Sequence, residues 1–269
     1  VVPKATAELL LRAPDEQGSP LVLLLHRPPT EQDRGGWGLP SAVSRPDETS
    51  AGTATRVAAR SGAEPDRVRI RGERLDLADP ATSTLIADVP EPFALPVGRA
   101  TAWVPEPQVG GLELTPGFAA RWPTLQAREI GLLVDAANVV GSRPDGWWRD
   151  RAGAAECLLR DVAAAAPGIL AVPEAGFRWI SRPVVVLEGA AKQAHDVPGP
   201  EVVRAYGSGD DTIVDVARRG GEWVVVTADR GLRDRLPSDV RTIGPSTLRS
   251  WLSAAPGRRQ RSVKAGRGQ

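Results

Sequence analysis

Leu132-Leu133-Val134-Asp135-Ala136-Ala137-Asn138 is a short apolar run that closes on an acid and then an amide. A run of this kind reads as a strand buried on both faces, which belongs to a parallel sheet covered by helices. Two later acidic clusters repeat the placement. Gly209-Asp210-Asp211-Thr212 stands at a helix start, and Val226-Thr227-Ala228-Asp229 follows another apolar run. In open α/β sheets ligands bind beyond the carboxyl ends of the strands. Three acidic sites converging there form an oxygen-rich crevice suited to Mg²⁺ or Mn²⁺, and such a crevice points to phosphodiester chemistry.

Outward from this run, strands and helices alternate. Strands are expected at 130–135, 183–187, 201–206, 223–227 and 240–243, and helices at 149–165, 210–219, 231–236 and 245–252. This order implies a mainly parallel sheet with helices on both faces. Residues 126–253 therefore form one domain, with the linker near 123–129. The first half is β-rich: 5–11 and 21–26 are apolar runs separated by Pro14-Asp15-Glu16-Gln17-Gly18-Ser19-Pro20, as in an antiparallel hairpin. A helix is expected at 49–59, strands at 68–70, 83–87 and 101–104, and a closing helix at 116–125, giving a domain of residues 1–125.

Within that first half, Trp37-Gly38-Leu39-Pro40-Ser41-Ala42, with Glu48 and Arg56 beyond it, resembles the Nudix box and the strand leading into it. Ala42 stands at the family's Gly position, and Glu48 and Arg56 match. After Arg56, where the family has its Glu-x-x-Glu-Glu metal ligands, the chain reads Val57-Ala58-Ala59-Arg60-Ser61. The resemblance implies a Nudix fold, an α/β sandwich, over roughly residues 3–125. The replaced acids imply lost pyrophosphohydrolase activity, because divalent metal is held there by carboxylates. What remains is either a module that binds a nucleotide or RNA end, or a scaffold. His26 at a strand end is read as structural.

Residues 130–253 resemble the PIN-like nucleases, particularly their NYN and YacP-like branches. The resemblance rests on Val134-Asp135-x-x-Asn138, Gly209-Asp210-Asp211-Thr212-Ile213 and Thr227-Ala228-Asp229-Arg230, in that order. It implies an α/β/α domain in which Asp135, Asp210, Asp211 and Asp229 hold one or two divalent ions and activate water against RNA. A helix N-terminus favours ionised Asp210 and Asp211, and clustering raises some carboxyl pKa values until metal binds. Asn138 orients Asp135 or touches phosphate, and Thr227 donates to phosphate or Asp229. Glu188, after Val184-Val185-Val186-Leu187, is either a further ligand or a solvated loop acid. Asp215, one turn after Asp211, either supports the ligands or pairs with Arg218 or Arg219. Gly207-Ser208-Gly209 reads as a flexible approach to the acidic helix. Trp147-Trp148, beside Arg143 and Arg149, either stack on unpaired bases or anchor the following helix, and Arg230 lies next to Asp229.

Composition bounds the rest. At 269 residues, 41% hydrophobic and 25% charged, the chain has room for two cores and is not disordered by composition. No apolar run approaches the roughly 20 residues of a membrane span, and residues 1–11 have no signal-peptide pattern. The single Cys157 excludes an internal disulfide and, with only two His in the chain, a zinc finger; it fits a cytoplasmic protein. Arg over Lys with abundant Ala fits a high-GC bacterial genome of actinobacterial type. The net charge of +1 divides into −3 over residues 1–125 and +4 over 126–269, where the tail 254–269 carries Arg258, Arg259 and Arg261. That Gly- and Arg-rich tail is expected to be disordered and to tether a polyanion or simply aid solubility.

The reading that joins these observations is a metal-dependent ribonuclease acting on single-stranded RNA, with a hydrolytically impaired Nudix domain that holds a nucleotide or RNA. The alternatives are a structure-specific DNase and a non-catalytic nucleotide or RNA sensor. Homo-oligomerisation is left open.

Overall fold

A computed structural model describes residues 5–30, 34–76, 81–98, 100–144 and 146–254. The chain divides into two compact units, Val1–Ala127 and Arg128–Gln269. Among the described residues no helix is long and apolar enough to cross a membrane. The tail with Arg258, Arg259 and Arg261 lies outside the described residues.

In the first unit, strands β1 (Thr6–Pro14), β2 (Pro20–Arg27), β3 (Gly36–Gly38), β4 (Ser41–Val43), β5 (Arg69–Leu75), β6 (Thr82–Asp88) and β7 (Thr101–Pro105) form one mixed sheet. Its order is β3-β2-β1-β6-β5, with β4 on β1 and β7 on β2. The expected hairpin is present, Arg12 facing Val22 across β1 and β2, whereas β1 and β6 run parallel. Helix α1 (Ser50–Arg60) is capped by Thr49, whose side chain accepts from Gly52 N–H. It buries Ala54, Val57 and Ala58 against Leu9, Leu11, Leu23 and Leu85 of the sheet. Period-2 alternation on the strands meets period-3.6 spacing on the helix.

Helices α2 (Glu106–Val109) and α3 (Pro116–Leu125) follow. Arg12 is fully buried and reaches Glu106 through two bonds, Nε to Oε2 at 2.7 Å and an NH2 nitrogen to Oε1 at 2.8 Å. The same NH2 group donates to Leu125 O at 2.8 Å, and Glu106 Oε1 also accepts from Ala127 N–H at 2.7 Å. One ion pair thus fastens β1 to both helices. The closing helix expected at 116–125 is present as α3, and its buried Leu125 meets this staple through its carbonyl, so the linker expected near 123–129 begins after the helix.

The second unit holds a five-stranded, wholly parallel sheet of β9 (Gly131–Asp135), β12 (Val184–Leu187), β13 (Glu201–Arg204), β14 (Trp223–Val226) and β15 (Arg241–Ile243). The order is β13-β12-β9-β14-β15. Successive residues serve opposite faces. Leu132, Val134, Val185 and Val226 pack with α5 (Arg151–Ala165) and α8 (Pro245–Ser253), while Leu133, Val186 and Val225 pack with α6 (Gly209–Arg218). Two elements were not anticipated. Helix α4 (Ala136–Gly141) spans six residues, too short to show a period, and an antiparallel hairpin, β10 (Gly168–Val172) with β11 (Gly176–Ile180), extends a small sheet that includes β8 (Arg128–Glu129). The hairpin falls in 166–182, where turn residues interrupt the apolar pattern, and its Trp179 and Ile180 are fully buried. The helix expected at 231–236 is a single turn, α7 (Arg230–Arg233).

Glu106→Gln leaves Arg12 buried beside a neutral partner. Removing one member of a buried pair costs about 3–5 kcal/mol, so the unfolding transition of the first unit should fall sharply in urea. Arg12→Met combined with Glu106→Leu should recover most of the loss. Equal destabilisation by the single and double variants would show that packing, not the uncompensated charge, sets the effect.

Candidate functional site

The central strands β12, β9 and β14 stop at one edge, with Val186 opposite Asp135 and Val226 opposite Val134. Asp135 ends β9, Glu188 follows β12, and Thr227 and Asp229 follow β14. Asp210 and Asp211 occupy the first turn of α6. The sheet order therefore gathers acids that are far apart in sequence.

Asp135 is 8% exposed. As the cap of α4 its Oδ1 accepts from Asn138 N–H at 3.0 Å, and its Oδ2 accepts from the buried Thr227 hydroxyl at 3.0 Å. Thr227 Oγ1 in turn accepts from Asp229 N–H at 3.1 Å. The hydroxyl donates to Asp135, where the sequence suggested Asp229's carboxylate or a phosphate. Asn138 uses its side chain differently as well: its Oδ1 accepts from Ala228 N–H at 2.8 Å and ties the loop after β14 to that after β9. Asp229 caps α7 through Leu232 N–H at 3.0 Å. Glu188 is not a loose loop acid. Its Oε2 accepts from Gly209 N–H at 2.8 Å, and a Cβ at Gly209 would lie 2.7 Å from that oxygen. A side chain at Gly209 would therefore displace the Glu188 carboxylate from this bond, so the glycine matters for close approach as well as for the flexibility the sequence suggested.

Burial pushes the Asp135 carboxyl above its ordinary value, and the charges of Asp210 and Glu188 add to the shift against the two hydrogen bonds that oppose it. Desolvation likewise raises Asp210, with Asp229, Glu188 and Asp211 reinforcing it and Arg235 opposing. Asp135, Glu188, Asp210 and Asp229 therefore share one electrostatic field. Asp211 stands at its margin, paired with Arg235 at the surface and with its side chain 64% exposed. Asp215 is exposed, and its charge acts on Arg235. Arg235 carried no signal in the sequence, because its partner lies in a different helix.

The oxygen donor set suits a hard divalent cation. Among the described residues no three His, Cys, Asp or Glu side chains form a preset metal cluster. The fit therefore rests on donor chemistry and on mutual repulsion.

Of the residues assigned to RNA, Arg143 and Arg230 are exposed. Trp147 and Trp148 occupy a single turn before α5 and meet edge to face at 6.2 Å, with Trp148 52% exposed. The guanidinium of Arg151 lies 5.4 Å from the centre of the Trp147 ring, a contact the sequence spacing of four residues made available but which was not singled out. Trp147 lines a cavity of about 420 Å³ that reaches Glu188, and it also lines another of about 350 Å³ beside Arg143 and Arg249.

In the first unit Arg56 clasps Glu48 with bonds of 2.9 and 2.6 Å. That hydrogen bonding pulls the Glu48 carboxyl down to about 2. Arg60 lines a small cavity of about 210 Å³ with Ser41, Ser61 and Thr101. His26 packs edge to face on Trp37 at 5.2 Å, in keeping with its structural reading.

No family model matches the chain. Over 131 residues it is 36% identical to the "Putative 8-oxo-dGTP diphosphatase 3" of Mycobacterium tuberculosis, found in strains CDC 1551 / Oshkosh and H37Rv, covering 45% of this chain and 60% of that protein. The chain thus spans about three fifths of the length of the curated relatives it matches. A Nudix hydrolase of M. smegmatis, RenU, is 34% identical and covers 45% of this chain and 83% of its own, with a TM-score of 0.40. The Nudix domain of Shewanella oneidensis NrtR, solved with ADP ribose, is 18% identical, covers 45% of this chain and 84% of its own, and has a TM-score of 0.35. Nudix hydrolase homology therefore extends over the N-terminal 45% or so of the chain.

The acidic edge carries a pH signature. An acid whose folded pKa is raised binds its proton more tightly folded than unfolded, so the stability it contributes is present at low pH. That contribution falls as pH rises from the unfolded value of about 3.9 through the raised one. In EDTA, melting temperature should decline across the weakly acidic range, and Asp135→Asn should flatten the decline and melt higher at neutral pH. Parallel profiles for parent and variant would refute the assignment.

Proposed function

The N-terminal part of the chain is homologous to Nudix hydrolases, and we propose that it is a hydrolytically impaired, nucleotide-binding accessory to a PIN-like C-terminal unit that cleaves single-stranded RNA with a divalent metal ion. The observation that carries this reading is the gathering of Asp135, Glu188, Asp210 and Asp229 at the carboxyl edge of three adjacent parallel strands, where burial and mutual repulsion raise Asp135 and Asp210.

Asp135, Asp210 and Asp229 would hold Mg²⁺ or Mn²⁺, with Glu188 beside them and Asp211 at the rim. When bound, such an ion offsets phosphate charge and lowers the pKa of a coordinated water. The chain's own residues supply the framework. Thr227 and Asn138 N–H fix the Asp135 carboxylate; Glu188 sets the start of the acidic helix through Gly209 N–H. Asn138 keeps the loop bearing Asp229 in register. Fixing ligands before substrate arrives removes reorganisation from the reacting state. Arg143 and Arg230 are placed to meet phosphates.

Impairment of the Nudix unit is supported by Val57, Arg60 and Ser61 standing where the family's acids would be, and nucleotide binding by the cationic cavity at Arg60. The identity to a protein named as an 8-oxo-dGTP diphosphatase favours a second reading, in which Asp47 and Glu48 support residual hydrolysis of a nucleoside triphosphate.

Full-length protein with Mg²⁺ or Mn²⁺ should cut single-stranded RNA and stop in EDTA. Asp135→Asn or Asp229→Asn should slow cleavage on the order of a hundredfold or more with folding intact, since metal-centred charge stabilisation is a large catalytic term. Faster cutting of flapped DNA would move the assignment to a DNase. Unchanged rates in Asp135→Asn on every RNA and DNA substrate would sink it. The same variant should release no pyrophosphate from 8-oxo-dGTP and no AMP from ADP-ribose, and turnover of either would establish the second reading.

A further inference from the structure

We propose that the cavity beside the acidic edge is a pocket for one unpaired nucleobase, with Trp147 as its stacking wall, so that the substrate strand is held by a splayed-out base as well as by its phosphates. This rests on the nucleic-acid reading of the acidic site and extends it to how the strand is recognised.

The cavity, of about 420 Å³, starts at Ala136 and Ala137, directly after Asp135, and reaches Glu188. A group seated in it is therefore within a residue of two of the gathered acids. Its lining is small and flat where Ala136, Ala137 and Gly207 contribute, aromatic at Trp147, and cationic at Arg151. Arg151 already stands over the indole at 5.4 Å, on the ring face that attracts a positive charge. Small apolar walls beside an indole and a guanidinium match a planar heteroaromatic ring, which stacks on groups of either kind. The charged side chains in the lining are Arg151 and Glu188, and the rest of it is apolar or glycine, fewer polar groups than a polyhydroxylated sugar calls for.

The occupant comes from an unpaired strand because a base in a duplex must leave its stack to enter a pocket, at a cost of a few kcal/mol. Arg143 and Arg149 are exposed next to Trp147 in sequence and leave cationic groups for the flanking phosphates. The two tryptophans part company here. Trp147 is half-buried and lines the cavity, whereas Trp148 is 52% exposed and does not. Stacking is assigned to Trp147 alone.

Gly207 provides a test that spares the fold. It lines the cavity, and a Cβ built on it meets no atom within 4 Å. Gly207→Leu should therefore fold normally and occupy the space a base would take.

Binding is read in full-length protein carrying Asp135→Asn, with Mg²⁺ present, so that cleavage does not consume the probe. The probes are a fluorescein-labelled nonameric RNA and the same nonamer with abasic ribose at its central positions. Stacking contributes roughly 1–3 kcal/mol per base, so the RNA should bind on the order of tenfold tighter than the abasic strand. Trp147→Ala and Gly207→Leu should each reduce RNA affinity to the abasic level at unchanged melting temperature, and Trp147→Phe should keep most of it. Trp148→Ala should stay within about twofold of the parent. Equal affinity for the two strands, binding of neither, or full RNA affinity in Gly207→Leu overturns the pocket even if RNA is cleaved. Base-dependent binding by a protein whose parent cleaves nothing supports the pocket while removing the nuclease assignment.

Discussion

The buried contact between the Thr227 hydroxyl and the Asp135 carboxylate organises the second unit's functional edge. Asp135 closes β9 and caps α4, so its side chain is committed to two structural bonds at a place that water scarcely reaches. A carboxylate in that position is disfavoured by desolvation, and two neutral donors do not restore what bulk water provides. Burial is the largest single influence on this carboxyl, and together with the charges of Asp210 and Glu188 it raises the pKa against both bonds. Thr227 is also the point where β14 meets the loop bearing Asp229, through Asp229 N–H. One hydroxyl therefore fixes two acids with respect to each other.

Around that contact the edge is tied strand to strand by single side-chain-to-backbone bonds. Asn138 holds Ala228, and Glu188 holds Gly209. Each crosses between segments tens of residues apart in sequence. The arrangement trades stability for charge density. Repulsion among Asp135, Glu188, Asp210 and Asp229 opposes folding, while the apolar packing on both faces of the parallel sheet supplies the compensating burial.

Much of this frame was legible in the sequence because the determinants are local. The apolar runs ending at Asp135, Leu187 and Val226 identify strands buried on both faces, and the apolar runs at 5–11 and 21–26, split by turn residues, identify the first half's hairpin. The α/β class and the placing of Asp135, Asp210 and Asp229 beyond strand or helix termini follow from those patterns. Other features depend on what folding brings near. Nothing local ties Glu188 to Gly209, Arg235 to Asp211, or Arg12 to Glu106. Helix α4 was hidden for a different reason: its six residues are too few for a helical period to register, and its cap is the same Asp135 that ends the strand.

The two units treat an acid at their candidate sites in opposite ways, and the difference bears on which of them needs an external cation. In the first, Glu48 is matched by Arg56 from its own domain, through bonds that pull its carboxyl down to about 2. The charge is met before any ligand arrives, and Arg60 adds a further cation beside the nearby cavity. In the second, Arg235 meets Asp211 at the rim and only weakly offsets Asp210, at 4.0 Å, while burial and neighbouring acids keep Asp135 and Asp210 raised. A bound divalent ion lowers the free energy of a site in proportion to the negative charge left uncompensated there. By that criterion the gain from such an ion is small at Glu48 and large at Asp135.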